Sequence, residues 1–228
     1  MKKINICAEV YGDNLKDFLR NIDKAQKLSD FIELRVDCIK NLKKTDIPVI
    51  LKRVKTHNIF TFRHQRDSGK YMGDEKIRVE FLQEANDLGF EYVDIDYSVM
   101  NEIKIKNLSS KRILSYHNSK RTPNIKNLKL ILEEMRKRGG EIYKFAVMAN
   151  SFDDVANLIK LILMKKPDEK MIVMGMGENA SFTRILTPML GGFLTFASLD
   201  ERVKLGPGQI PVNKLRKIFD KLNDYWPY

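Results

Sequence analysis

The chain lacks several features that mark common protein classes. None of its apolar runs is long enough to cross a bilayer, so no membrane-embedded protein is expected. Only two cysteines, Cys7 and Cys38, occur in 228 residues, and without metal-ligand spacing they predict neither a disulfide framework nor a metal site. The first residues lead directly into the apolar segment 4–8 without a signal-peptide pattern, which predicts a cytoplasmic location.

A concentrated basic region is also missing, although positive charge is abundant. The formal net charge of +11 raises the question of nucleic-acid binding. However, Lys and Arg are dispersed in short groups, as at 52–53, 136–138 and 165–166, and no aromatic-rich basic motif accompanies them. We therefore expect neither a nucleic-acid nor a membrane partner. The charge is better suited to attracting a small anionic substrate.

Short apolar segments alternate with amphipathic segments from one end of the chain to the other. The candidate strands are 4–10, 31–37, 59–63, 92–97, 111–118, 142–148, 170–176 and 193–198. Between them, apolar residues recur at helical spacing, as at Leu128, Ile131, Leu132 and Met135. This alternation predicts an α/β protein, a (β/α)8 TIM barrel that forms one domain over residues 1–228. A doubly wound sheet is the alternative.

Charged residues share one face of several predicted strands. The outer face of a barrel strand must contact the helices, so the apolar face turns outward and the charged face turns into the barrel. Burial of this many charges is costly unless they are paired, and several lie at the strand ends where barrel enzymes keep their active sites. This alternation therefore predicts an active site. The inward set comprises Glu33, Arg35, Asp37, Arg63, Asp94, Asp96, His117 and Lys144.

Lys144 is the most informative of these residues, because it interrupts the apolar run 142–148. An ammonium there is costly unless it is paired or deprotonated, and positive neighbours favour the neutral amine. A neutral lysine attacks carbonyl carbons to form a Schiff base. His117 can move protons, Asp96 can orient it, and arginines bind carboxylates. Together these residues predict imine chemistry on an anionic keto compound. A lysine on an edge strand facing water is the simpler alternative.

Seven sequence motifs follow one another in a fixed order along the chain. They are Glu33-Leu34-Arg35-Val36-Asp37, Thr61-Phe62-Arg63, Ser115-Tyr116-His117-Asn118, Lys144-Phe145-Ala146-Val147-Met148, Met174-Gly175-Met176, Ser181-Phe182-Thr183-Arg184 and Gly206-Pro207-Gly208-Gln209-Ile210. Together they resemble the motifs of the type I 3-dehydroquinate dehydratases, barrel enzymes of the shikimate pathway of aromatic amino acid biosynthesis. The resemblance extends over essentially the whole chain.

The resemblance implies a role for each candidate residue. Lys144 would form a Schiff base with the ketone of 3-dehydroquinate, and His117, paired with Asp96, would move protons until 3-dehydroshikimate is released. The resemblance implies neither a metal nor an organic cofactor. It implies a homodimer, which agrees with the cytoplasmic location predicted above. The implied substrate contacts are Glu33, Arg35 and Arg63 at the hydroxyls, Arg184 and Gln209 at the carboxylate, and Met174 and Met176 along the pocket wall.

Two positions depart from the family pattern. Asp96 is one methylene shorter than the usual Glu, so we expect a longer or water-mediated contact with His117. Leu205 occupies a position that usually carries a Ser or Thr, which puts one contact to the substrate carboxylate in doubt. The alternatives are a class I aldolase-type barrel, which also uses a strand lysine, and a non-catalytic barrel with a degenerate site. Apart from the resemblance, Arg184 is predicted to lie on a helix surface.

Overall fold

The computed structural model describes residues 4–99, 109–201 and 205–225 and has the architecture of a (β/α)8 barrel. Its strands are β1 Ile6–Val10, β2 Phe31–Arg35, β3 His57–Thr61, β4 Tyr92–Asp96, β5 Lys111–Asn118, β6 Ile142–Met148, β7 Lys170–Met176 and β8 Thr195–Ser198. The helices are α1 Leu15–Leu28, α2 Asp46–Arg53, α3 Glu75–Leu88, α4 Ile125–Arg138, α5 Phe152–Ile162, α6 Thr183–Met189 and α7 Val212–Asn223.

The strands form one parallel sheet that closes almost completely on itself. Each strand from β1 to β6 pairs with the next one along the chain, and β1 also pairs with β8. Between β7 and β8, a backbone hydrogen bond from Phe193 N to Met171 O, 2.7 Å long, bridges the remaining gap. The barrel prediction is confirmed, and the doubly wound alternative is wrong because the strands follow one another in sequence order around the sheet and the first strand pairs with the last.

Local sequence signals explain where the helices begin and end. Ser151 caps α5 by accepting a hydrogen bond from Asp154 N, and the Asp154 carboxylate accepts one from Ser151 N, which forms a capping box. Gly89 ends α3 in the left-handed conformation, with φ of 87°, where a residue without Cβ is favoured. Across the described residues, no helix combines the length and apolar character needed to cross a membrane.

Strand boundaries differ from the sequence prediction by about two residues. β3 ends at Thr61, so Arg63 lies just past the strand. β2 ends at Arg35, and Asp37 belongs to a short 3-10 turn, Val36–Cys38. The connection from β4 to β5 begins with another 3-10 turn, Tyr97–Val99, and any helix in residues 100–108 lies outside the described residues.

The barrel interior is divided into an apolar part and a charged part. The apolar cluster is formed by inward-facing side chains from all eight strands, and Ile59, Ile113 and Ile172 are completely buried in it. Strand register places the charged residues one pleat further along: Glu33 follows Phe31, Asp94 follows Tyr92 and Lys144 follows Ile142. The part of the interior near the amino ends of the strands is therefore an ordinary barrel core, and it supports a charged layer at the carboxyl ends of the strands.

Candidate active site

Lys144 lies at the centre of the charged layer. Its Nζ atom is 3.1 Å from Glu33 Oε1 and 3.0 Å from Asp94 Oδ2, and it lies 4.2 Å from the centroid of the Phe196 ring. The side chain is only 3% exposed. The expectation of positive neighbours is therefore wrong for the direct contacts, because both hydrogen-bond partners are carboxylates. A buried ammonium is stabilised there by charge pairing and by the aromatic ring.

Arg63 joins the carboxylates of β2 and β4. Its Nη2 lies 2.8 Å from Asp94 Oδ2 and 3.8 Å from Glu33 Oε1, and its Nε lies 3.2 Å from Asp96 Oδ1. Burial raises the pKa of Asp94, but the charges of Arg63 and Lys144 outweigh burial and hold that pKa well below its usual range. Asp94 is therefore ionised and paired, which offsets the cost of burying its charge.

His117 faces Asp96 across the β4–β5 pair. Its Nδ1 lies 3.3 Å from Asp96 Oδ1, and this nitrogen has no well-aligned hydrogen-bond partner, in line with the longer contact expected for the shorter side chain. Burial and the positive charge of Arg63 lower the pKa of His117 to about 4, against the opposing effect of Asp96. The imidazole is therefore neutral at physiological pH and able to accept a proton.

Arg78, on α3, is a component of the site that sequence reasoning missed. Its side chain is completely buried, and its Nη1 donates to Asp96 Oδ2 at 2.9 Å and to Phe62 O at 2.9 Å. On the other side the guanidinium contacts Glu75, with Nε 2.7 Å from Oε1. A charged residue on a helix normally predicts an exposed position, so only its helical spacing from Phe81 and Ala85 would have signalled burial.

A cavity of about 110 Å³ opens beside Lys144 and His117 at the carboxyl ends of the strands. Eight of the ten predicted site residues line it, and seven of these are Arg35, Arg63, His117, Lys144, Met174, Met176 and Arg184. Gln209 completes the lining on the side of β8. Glu33 and Asp96 lie behind the wall, where they contact Lys144 and His117, so the structure gives no direct opening from Glu33 to the cavity.

Arg184 reaches the cavity from the first turn of α6, although sequence alone placed it on a helix surface. That placement is wrong, since the residue is 2% exposed. Its Nη1 donates to Phe196 O at 3.3 Å and lies 3.5 Å from Met174 Sδ, while its buried Nε has no partner. Burial lowers the pKa of this guanidinium from its usual value. An incompletely paired arginine in a cavity is suited to binding an anion.

Arg35 and Gln209 are held in place by fixed neighbours. Arg35 forms a two-point ion pair with Asp37, with Nε 2.9 Å from Oδ1 and Nη2 2.7 Å from Oδ2. Gln209 accepts a hydrogen bond from the backbone N of Leu205 at 2.9 Å through its Oε1, which fixes the orientation of the side-chain amide. Leu205 itself lines the cavity, where it offers only a hydrocarbon side chain.

Glu9 is a second residue that the sequence prediction did not include. It lies on β1, lines the cavity and is 7% exposed. The alternation Ile6, Ala8, Val10 against Cys7 and Glu9 contained the signal, because it turns Glu9 inward. Among the described residues, no group of three or more His, Cys, Asp or Glu side chains is arranged to hold a metal ion, and the inward carboxylates other than Glu9 are paired with Lys or Arg.

Comparisons with known proteins identify the family of the chain. The sequence model of the type I 3-dehydroquinase family matches residues 6–225. The chain is 39% identical to the 3-dehydroquinate dehydratase of Coxiella burnetii strain CbuK_Q154 over 216 residues, which cover 95% of this chain and 92% of the relative. It is 33% identical to the 3-dehydroquinate dehydratase of Methanococcus maripaludis strain C7 over 219 residues, covering 93% of this chain and 97% of the relative.

Solved structures show the same fold. The crystal structure of 3-dehydroquinate dehydratase from Geobacillus kaustophilus HTA426 superposes with a TM-score of 0.89 at 23% identity, covering 98% of this chain and 93% of that chain. The enzyme from Aquifex aeolicus VF5 has a TM-score of 0.80 at 28% identity, covering 96% of this chain and 98% of that chain. The chain therefore belongs to the type I 3-dehydroquinase family, a family of hydro-lyases.

Proposed function

We propose that this chain dehydrates 3-dehydroquinate to 3-dehydroshikimate through a Schiff base on Lys144, with His117 as the general acid and base. The observation that carries the proposal is the position of a buried primary amine and a neutral imidazole on the wall of one cavity. The amine supplies a nucleophile for a ketone, and the imidazole supplies a base.

The first step forms the imine. Glu33 and Asp94 hold the Lys144 nitrogen in place, and the amine becomes nucleophilic when a proton leaves it for the imidazole of His117. Nζ then bonds to the ketone carbon, and the carbinolamine oxygen leaves as water after protonation by the imidazolium. The remaining iminium carries a positive charge, which Glu33 and Asp94 continue to stabilise at about 3 Å.

The second step is the elimination. His117 takes a proton from the carbon next to the iminium, and the electrons of that C–H bond move into the iminium to give an enamine. The enamine then expels the hydroxyl on the following carbon, and the proton on His117 leaves with it as water. Hydrolysis of the conjugated iminium releases 3-dehydroshikimate and restores Lys144. One proton is taken and returned, so neither metal nor organic cofactor takes part in the balance.

The substrate is oriented by charge at its two ends. Arg184 and the Gln209 amide form the anion-binding end, since Arg184 Nε is unpaired and both side chains line the cavity. Arg35 and Arg63 face the hydroxyls, and Met174 and Met176 contact the ring. Glu33 acts on Lys144 and on Thr61, whose hydroxyl donates to it at 2.9 Å, and reaches substrate hydroxyls only if its side chain moves.

Borohydride trapping tests the covalent step. The protein is incubated with 3-dehydroquinate and sodium borohydride, and the adduct is located by intact-mass and peptide mass spectrometry. We expect one stable adduct on the peptide containing Lys144, none in Lys144→Ala, and an unchanged adduct in Lys170→Ala, which removes an exposed lysine at the start of β7. Turnover without any adduct would contradict the imine mechanism.

Two further expectations accompany this function. We propose that the protein works as a cytoplasmic homodimer, as the family resemblance implies. Sedimentation equilibrium of the purified chain measures the assembly directly, and a mass near 26.6 kDa, that of a single chain, would contradict the dimer. Fractionation of cells that express the chain tests the location, and recovery with the membranes would contradict it.

A further inference from the structure

We propose that Glu9 is an additional substrate-binding residue, which acts as a neutral carboxylic acid and donates a hydrogen bond to the substrate carboxylate beside Arg184 and Gln209. The proposal rests on the proposed function and makes it more specific, because it assigns a role to a residue at the anion-binding end of the cavity. It follows from the position of Glu9, its missing hydrogen-bond partner and its surroundings.

Strand register fixes the position of Glu9. On β1 it pairs with Glu33 of β2 on one side and with Ser198 of β8 on the other. Its neighbours Ala8 and Val10 are completely buried in the core outside the barrel, so the period of two turns Glu9 into the interior. The residue therefore lines the same cavity as Arg184 and Gln209.

One oxygen of Glu9 is left without a partner. Its Oε2 is buried and accepts no hydrogen bond, and the Nε of Arg184 is in the same situation. Each of the other inward carboxylates has a Lys or Arg nitrogen within 3.2 Å, whereas within the described residues no cation forms an ion pair with Glu9. Buried polar atoms are normally satisfied. These two buried polar atoms without partners belong to residues of one cavity wall, which indicates that a polar ligand supplies the missing hydrogen bonds.

The surroundings of Glu9 favour its neutral form. Burial raises the pKa of Glu9, and the negative charge of Glu33 raises it further, against Arg35, the Gln209 amide and Arg184. The thiols of Cys7 and Cys38 also face this carboxyl group, but burial raises their pKa, that of Cys38 to about 12, so neither adds a charge. A neutral Glu9 carries an O–H, which is a donor rather than an acceptor.

A donor at this place suits the carboxylate of the substrate. Arg184 supplies the charge and the Gln209 amide supplies N–H groups, while Leu205 contributes no polar side-chain atom. The O–H of Glu9 adds a hydrogen bond to the same anion. An ionised Glu9 would instead place a negative charge against the substrate carboxylate and weaken binding. Affinity for the substrate is therefore expected to fall as the pH rises and Glu9 loses its proton.

Steady-state kinetics of Glu9→Gln and Glu9→Ala over a range of pH test this role. We expect KM of the unsubstituted enzyme to rise at high pH with kcat little changed. Glu9→Gln keeps a donor and cannot ionise, so its KM is expected to match the enzyme at low pH and to lack the rise. Glu9→Ala removes the donor, and its KM is expected to be raised about tenfold throughout. Glu141→Gln, at the opposite end of the barrel from the cavity, is the matched control.

Two results would overturn the role of Glu9: an unchanged KM in Glu9→Ala, or a rise of KM with pH that persists in Glu9→Gln. Thermal unfolding checks that the variants are folded, and if Glu9→Ala is not, the pH profile of the nearly isosteric Glu9→Gln decides alone. Failure of the unsubstituted enzyme to convert 3-dehydroquinate would instead overturn the proposed function, and the role of Glu9 with it.

Discussion

The guanidinium of Arg78 lies 2.9 Å from the carboxylate of Asp96 and connects the outer helix α3 to the charged layer inside the barrel. Asp96 Oδ2 accepts from Arg78, and its other oxygen, Oδ1, faces His117 at 3.3 Å. Burial raises the pKa of Asp96, but the contact with His117 and the charge of Arg63 hold it below the usual value. The negative charge next to His117 is thus fixed in position by a helix that does not touch the cavity.

Replacement of this arginine is expected to affect both activity and stability. Arg78→Met leaves Asp96 and Glu75 without their shared cation, and breaking a buried pair typically costs about 3–5 kcal/mol. With less positive charge around Asp96, the carboxylate favours the imidazolium more strongly. We therefore expect the acid limb of kcat/KM to move to higher pH, with a lower kcat. Denaturant unfolding and a pH–rate profile measure the two effects.

Arg53→Met is the control for Arg78→Met. It also removes an arginine that pairs with a carboxylate, but the Arg53–Asp23 pair is half exposed, and such pairs contribute about 0–1 kcal/mol. We expect no change in the pH–rate profile of this control. An Arg78→Met enzyme with lower stability but an unaltered acid limb would show that Arg78 supports the fold without positioning Asp96.

The barrel and most of the site followed from sequence because both depend on strand alternation. A period of two places Glu33, Asp94 and Lys144 on the inner face of their strands, wherever each strand ends. In the structure the Lys144 nitrogen lies within 3.1 Å of both carboxylates. The predicted ends of β2 and β3 were less accurate. Charged residues beyond each strand end continue the inward–outward alternation of the sequence, but their backbone no longer pairs with the neighbouring strand.

The parts of the site that sequence did not predict are held by tertiary contacts. Arg78 and Arg184 lie on helices, where a charged side chain predicts exposure, and only packing against the barrel shows that both are buried. Glu33, which is predicted to contact the substrate, also forms hydrogen bonds with Lys144 and Thr61, and these partners were not predicted. The positive neighbours expected around Lys144 were wrong because Arg63 interacts with the same carboxylates rather than with the amine.

The low pKa of His117 leads to a prediction for the acid side of the pH profile. Since burial lowers this pKa to about 4, the imidazole is the neutral base above that pH and is lost as a base below it. We expect kcat/KM to hold down to about pH 5 and to fall through pH 4, whereas an ordinary histidine would lose activity below about pH 6.5. NMR titration of the three histidines measures the pKa directly.

His117→Gln is expected to lower kcat by at least about 100-fold, since general acid–base catalysis contributes that much or more. The Lys144 adduct is expected still to form with borohydride, but more slowly, because water must replace His117 in the proton transfers of imine formation. His57→Gln serves as the control, because His57 pairs with Glu91 at the exposed start of β3. If the NMR signals of all three histidines titrated near pH 6.5, the low pKa of His117 would be contradicted.

Lys144 is expected to be necessary for chemistry and to affect stability through its charge. Lys144→Ala leaves Glu33 and Asp94 close together without the ammonium that separates them. We expect loss of turnover and a decrease in unfolding free energy of about 3–5 kcal/mol. Lys144→Arg keeps the positive charge but lacks the primary amine, so it is expected to be inactive and more stable than Lys144→Ala.

Denaturant unfolding of both Lys144 variants, with Lys170→Ala as the exposed control, separates the two contributions. If Lys144→Ala were as stable as the parent protein, the two carboxylates would have to be protonated or rearranged. Pairing with Lys144 would then not be what keeps them ionised. Dehydratase activity in Lys144→Arg would show that the reaction does not require a primary amine.

Arg184 is expected to control substrate affinity. Arg184→Lys keeps a positive charge, but a lysine cannot reproduce the planar two-point contact that a guanidinium makes with a carboxylate. We expect KM to rise by about tenfold or more, in line with the loss of a charge-assisted hydrogen bond, and kcat to fall much less. The paired control is Arg20→Lys, whose arginine is largely exposed and pairs with Asp17 on α1. A kcat decrease with unchanged KM would place Arg184 in the chemical step instead.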